Sequence, residues 1–205
     1  AMQVVAFVLI GIGTGALYAM VAQGLVLIYR GSGVVNFAHG AFVMGGAYAY
    51  YEFAEHLHLG RWIAVVLSVA CTAALGAAIQ LLILRPMRRS SALSRLIATL
   101  GVLIAVQAGA VLIFGDSVLF APHLLPANGL EILPGARVGE DRLIIFAVGL
   151  VLTIVLWAAY RFSNFGRITT AVAQNPQTAA SMGHSPDLIA LANWRVGGAL
   201  AGLAG

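Results

Sequence analysis

Residues 85–114 read RPMRRSSALSRLIATLGVLIAVQAGAVLIF: a turn with four arginines and no acid, then a run from Leu96 to Phe114 that carries no charge. A helix needs roughly 20 mostly apolar residues to cross the hydrocarbon core of a bilayer. Backbone inside that core must satisfy its own hydrogen bonds, which leaves helices or closed barrels. The run lacks the dyad alternation of a barrel strand, so it predicts a transmembrane helix. Its arginine-rich flank belongs on the cytoplasmic side, where short loops collect cations.

Outward from this segment the same pattern repeats. Apolar stretches cover Val4 to Tyr29, Val35 to Tyr51, Trp62 to Leu84 and Leu143 to Tyr160. A sixth starts near Leu188 and is still apolar at Gly205, so the natural chain is expected to continue past this point. Hydrophobic residues make up 61% and charged residues 9%, against about 25% charged in a soluble domain; the surplus apolar surface has to face lipid. The fold class is therefore all-α: one polytopic transmembrane helix bundle spanning residues 1–205, apparently truncated after the start of a sixth span. Glycines within the spans, such as Gly11, Gly13, Gly15, Gly24, Gly45 and Gly46, allow close helix packing.

Loop charge sets the expected orientation. Residues 115–142 hold Asp116, Glu131, Glu140 and Asp141 with Pro122, Pro126 and Pro134, and read as an external loop. Residues 161–187 return Arg161 and Arg167 to the cytoplasm, and Arg30 lies on that side as well. All eleven cations are arginine. Without lysine the chain has no Walker A loop and no amine for Schiff-base chemistry. The arginines sit at the ends of apolar runs rather than on one basic face, which argues against nucleic acid. The single cysteine, Cys71, cannot form an internal disulfide.

Two polar segments interrupt the apolar pattern. In GSGVVNFAHGAFVMGGAY, residues 31–48, Asn36 and His39 share one face if the segment is helical. Polar groups at membrane depth turn toward the bundle or a wet path. They either line a broken helix beside a translocation route or serve as interhelical hydrogen bonds that position the helix. The second segment is residues 160–188, YRFSNFGRITTAVAQNPQTAASMGHSPDL. Asn175 suits a helix N-cap, Pro176 the first helical position and Gly183 the left-handed stop. A very short helix from Pro176 to Met182 follows, bearing Ala179 and Ala180. So short a helix is marginal alone in water, and its small-residue face suits a socket on a soluble partner; an ordinary interhelical loop is the plainer alternative.

These segments together resemble the permease subunits of ABC importers of the branched-chain amino-acid type. Gly15 to Ala19, Gly24 to Tyr29 and Asn36-Phe37-Ala38-His39-Gly40 are similar to that family's N-terminal signature. Arg85 to Arg88 with Leu96 to Gln107 resemble its central turn and following helix. Gly166-Arg167, Ala171 to Asn175, Ala179-Ala180 and Gly183 resemble its ATPase-coupling loop, and Gly198 to Gly205 fits as well. Departures occur at Gln80 and Leu81, where the family often has a Glu-Arg pair, and near Gln174 and His184.

The resemblance implies a translocation path past Asn36, Phe37, His39, Gly40, Gly45 and Tyr48. It implies ATPase coupling through Gly166, Arg167, Asn175, Pro176, Ala179, Ala180 and Gly183. It further implies a second permease subunit, two cytoplasmic ATP-binding subunits and a periplasmic binding protein. ATP would be used by the partners, with no cofactor or metal in this chain, which would sit in a bacterial inner membrane as a transporter subunit rather than an enzyme. Branched-chain amino acids are the leading substrate class, with urea or short amides as the alternative inside the family. Outside it, an ion-coupled carrier or channel is the strongest rival, yet the five long spans hold no acid in their interiors. An enzyme built on Ser32 and His39 lacks a G-x-S-x-G elbow. A metal site from Glu52, Glu55, His56 and His58 competes with plain solvation of those side chains.

Overall fold

The computed structural model describes residues 2–115, 119, 121, 124–125, 129–133 and 136–205, and for residues 2–10 and 129–138 the backbone only. Asp116, Pro122, Pro126 and Pro134 of the expected external loop lie outside these residues. Eight α-helices are described: α1 Met2–Ser32, α2 His39–Tyr51, α3 Arg61–Ile79, α4 Ala92–Phe114, α5 Glu140–Phe162, α6 Asn164–Gln174, α7 Pro176–Ser181 and α8 Pro186–Ala204. Residues Glu52–His56 and Gln80–Leu84 continue α2 and α3 as π-helical turns, and Pro86–Arg89 forms a single 3-10 turn.

Short polar residues set many of the boundaries. Ser91, Ser163, Asn175 and Ser185 each accept a backbone N–H at the start of α4, α6, α7 and α8, the standard way to satisfy orphan donors of a first turn. Glu140 and Asp141 lie in the first turn of α5, where negative charge complements the helix dipole. Four helices are long and apolar enough to cross a membrane: Gly11–Ser32, Arg61–Leu84, Ala92–Phe114 and Glu140–Phe162. The loop between α4 and α5 also contains an antiparallel hairpin, β1 Gly129–Leu133 and β2 Ala136–Gly139, with Gly129 opposite Gly139. The rest is a membrane helix bundle, as the apolar runs require.

The second apolar stretch differs from its expected extent. Val35 and Asn36 are not helical; α2 begins only at His39. Gly33, at φ +65°, ends α1 by turning left-handed, and its N–H donates to the Tyr29 carbonyl at 2.8 Å. The following residues run extended until the Asn36 side chain starts a new turn. Asn36 and His39 therefore do not share a helix face.

α8 occupies the centre of the bundle, packed against α1, α2 and α3. Its glycines allow backbone to meet backbone. A Cβ on Gly197 would lie 2.5 Å from Ile28 and 2.8 Å from the Gly24 carbonyl, and one on Gly198 would lie 2.5 Å from the Thr72 carbonyl. Gly46 of α2 faces Gly202 of α8, with only 2.7 Å between a Cβ on the former and the Cα of the latter. Trp194, fully buried, meets Phe42 edge-on with ring centroids 6.2 Å apart, within a core shared with Ile28, Ile79, Leu84, Val102 and Ala201. By contrast, α4 and α5 bury little of themselves, and Leu112, Ile113, Ile104, Val151 and Val155 are exposed. That surface is left for lipid or another helical subunit.

Replacing Gly198 by Val is expected to lower stability by about 1–3 kcal/mol, as overpacking does. Gly101→Ala, where the added Cβ meets nothing within 4 Å, is expected to leave it unchanged or slightly raised. Thermal unfolding of the detergent-purified variants reads the difference.

Candidate functional site

The break between α1 and α2 lies inside the bundle rather than at its rim. The His39 ring Nε2 is 2.9 Å from the Val21 carbonyl, and Val21 sits about three turns before the end of α1. Phe37 N–H donates to Thr99 Oγ1 at 3.2 Å, and Thr99 lies well inside α4. Irregular backbone at membrane depth persists only where protein or a polar cavity satisfies it. Here the Asn36 side chain accepts from Ala38 N–H at 3.0 Å while its carbonyl accepts from His39 N–H at 3.3 Å. Asn36 and Thr99 thus replace the hydrogen bonds that a continuous helix would have supplied.

The block expected to line a path divides in two. Asn36 and His39 are buried, and His39 fills the space beside Gly24, where a Cβ would come within 2.8 Å of its ring. Phe37 and Gly40 are exposed on the outside of the bundle, Gly45 is half-buried, and Tyr48 stacks on Phe114 with centroids 4.6 Å apart. These contacts give Asn36 and His39 roles in positioning α2. The face carrying Phe37 and Gly40 is the one open to a neighbour.

The second segment folds as its capping residues dictate. Asn175 Oδ1 accepts from Gln177 N–H and Thr178 N–H, both at 3.0 Å, and Pro176 opens α7. Gly183, at φ +85°, donates to the Ala180 carbonyl, and His184 N–H donates to the Ala179 carbonyl at 3.1 Å; this paired closure is a Schellman motif. Upstream, Ser163 donates to the Ala159 carbonyl and accepts from Gly166 N–H, so α5 bends directly into α6. A Cβ on Gly166 would collide with the Tyr160 backbone. Arg167 is exposed and donates to Asn164 at 2.5 Å.

Ala179 and Ala180, expected on one docking face, point opposite ways: Ala179 is buried against its own chain and Ala180 is exposed. One position separates them, about 100° around a helix. The outward face of α7 is therefore Gln177, Thr178, Ala180 and Ser181, followed by the exposed Met182.

Two contacts tie this segment to the bundle, and neither was expected from the residues. Asp187 in the first turn of α8 lies 2.9 Å from Arg88 Nη1 and 3.4 Å from Arg85 Nε. The turn that lacks the family's Glu-Arg pair at Gln80 and Leu81 is thus anchored by a distant acid. Asn193, fully buried in α8, accepts from Tyr160 Oη at 2.5 Å and donates to the Ile189 carbonyl at 2.8 Å and to Thr169 Oγ1 at 3.5 Å. Its side chain also fills the gap that Gly31 leaves. One amide therefore links α1, α5, α6 and α8. The available signal was a lone asparagine in the apolar run after Leu188.

Helices long enough to span a bilayer, an α2 that begins at depth, and a capped stub bonded to the central helix define a multi-pass membrane permease. The family model described as the permease component of branched-chain amino acid transport systems matches residues 7–205, and the chain belongs to that family. It is 28% identical to the high-affinity branched-chain amino acid transport system permease protein LivH of Escherichia coli, and equally to that of Salmonella typhimurium, over 95% of this chain and 67% of theirs. The BraD permease of Pseudomonas aeruginosa is 30% identical with the same coverage. No solved structure matches the chain. The family read from the NFAHG and coupling-loop residues is the one these comparisons return.

Asn36→Ala is expected to lower stability by roughly 1 kcal/mol, the usual cost of a lost cap, while the substrate KM of the remaining folded protein stays unchanged. Melting curves and uptake kinetics on the same preparation check both halves.

Proposed function

We propose that this chain forms the membrane path of an ABC importer for branched-chain amino acids, with its arginine-rich end in the cytoplasm of a bacterial inner membrane. The observation that carries the reading is α7: a stub capped at both ends, with an outward polar and small face, held to the central helix. Such a stub suits a socket on a soluble subunit. A push on α7 passes through Asp187 and Asn193 to α8, and from α8 through backbone contacts to α1, α2 and α3. Rocking of the bundle by an outside motor needs this kind of stiff linkage.

In this reading two ATP-binding subunits dock beneath α7, and ATP is bound and hydrolysed there, with no cofactor in the permease. A second permease subunit covers part of the exposed surface, with the path running beside Phe37, Gly40, Gly45 and Tyr48. A periplasmic binding protein delivers substrate at the opposite end. Gly166, Arg167, Asn175, Pro176 and Gly183 shape the lever, and Ala180 touches the motor.

Ala180→Glu puts a carboxylate on the docking face without entering the bundle. Uptake is expected to fall about tenfold or more, as truncating or charging an interface anchor does, with normal accumulation in the membrane. Ala179→Glu buries a charge within the chain and is expected to reduce accumulation itself. Leucine uptake by reconstituted vesicles, with urea and a short amide as comparison substrates, tests the assignment. Full uptake by Ala180→Glu, or transport of urea without leucine, would overturn it.

A further inference from the structure

A cavity of about 340 Å³ opens between the arginine-rich end of the bundle and the lever. The end of α1, the residues after it, the end of α3, the start of α4, α6, Pro176 of α7 and the start of α8 all line it. Its size falls in the range of small-molecule sites, about 300–1,000 Å³. None of the residues placed on the translocation path lines it.

The wall carries two opposite, unsatisfied polar groups. Gln80 is 4% exposed, and its Oε1 has no hydrogen-bond partner. The Arg95 Nε–H is buried and equally without a partner. An orphan acceptor and an orphan donor each carry a desolvation cost of about 1–3 kcal/mol. They line one cavity yet do not bond to each other. Arg30, on the same wall, has no acid within ion-pair distance among the described residues, while Arg88 is taken by Asp187. The remaining lining includes Val34, Leu84, Val172 and Ala190, all buried aliphatic side chains.

We propose that this cavity binds a free aliphatic α-amino acid as its zwitterion. The α-carboxylate accepts from Arg95 and Arg30, the α-ammonium donates to Gln80 Oε1, and the side chain lies against the aliphatic wall. A phosphate or an anionic lipid headgroup fits less well, because neither brings a donor to Gln80 and both would meet the Asp187 carboxylate. Carboxylates retain acceptor capacity beyond two bonds, so Asp187 also faces the ammonium favourably. The site stands beside Pro176 and Asp187, so its occupation wedges the lever against the bundle. Imported product on the arginine-rich side would thereby slow further import. This regulatory consequence rests on the importer reading above; the binding site does not.

The test uses the permease purified from membranes with the subunits that accompany it, and radiolabelled leucine as the probe. Leucine and valine are expected to bind, whereas 4-methylpentanoate, which lacks the ammonium, and isoamylamine, which lacks the carboxylate, fail to compete. Gln80→Leu and Arg95→Gln should each weaken binding about tenfold, the loss of one charge-assisted hydrogen bond, with melting temperatures showing that both variants are folded. Unchanged binding in both folded variants overturns the site. So does the absence of leucine binding, or displacement of leucine by inorganic phosphate or by vesicles of anionic lipid in preference to valine. Leucine uptake measured in vesicles of the same protein separates the two readings. Uptake without this binding removes the site and leaves the importer, and binding without uptake does the reverse.

Discussion

Backbone contact along α8 is the constraint on which the rest of this structure depends. Gly197, Gly198 and Gly202 bring the central helix against α1, α2 and α3 at distances no side chain would permit. In a membrane there is little hydrophobic gain from bringing two apolar helices together, and close packing supplies the attraction instead. The same closeness leaves no slack. A displacement of α8 must be passed on to its three neighbours, because there are no flexible side chains between them to absorb it. Asn193 and Asp187 then extend that stiff unit to α5, α6 and the α3–α4 turn.

The break before α2 expresses a second constraint. A chain leaving α1 at Gly33 has to re-enter the bundle, and each peptide group on the way needs a partner. Asn36 supplies one from its side chain and Thr99 supplies another from α4. The result is a short helix that starts at depth and ends in a π-helical turn next to Glu52 and Glu55. An asparagine at membrane depth thus serves the backbone first, which is a sufficient reason for its presence.

Local chemistry was legible in the residues, and contacts between distant segments were not. The α7 stub from Pro176 was readable because Asn175, Pro176 and Gly183 act on their own neighbours, and caps need no knowledge of the rest of the chain. The long spans at residues 61–84, 92–114 and 140–162 were readable for the same reason, since charge-free length is a property of each segment. The shared helix face of Asn36 and His39 was misread because Gly33 and Asn36 stop the helix between two stretches that look continuous in hydropathy. The hairpin within 129–139 left no clear pattern in so few residues. The opposite orientation of Ala179 and Ala180, the anchoring of Arg88 by Asp187, and the hub at Asn193 depend on residues far apart in sequence, as does the central place of α8.

The π-helical turn at Gln80–Leu84 has a consequence for how this region tolerates insertions and deletions. A π-turn accommodates one extra residue in an otherwise regular helix. Losing a single residue there would restore the α-helical repeat and rotate everything downstream by about 100° relative to what precedes it. Arg85 and Arg88 would then swing away from Asp187, although every residue outside the deletion would be retained. The spacing between Gly76, which seats α3 on Trp194, and the arginines that meet α8 is therefore a fixed length, and natural variation in this stretch should exchange residue types without changing their number.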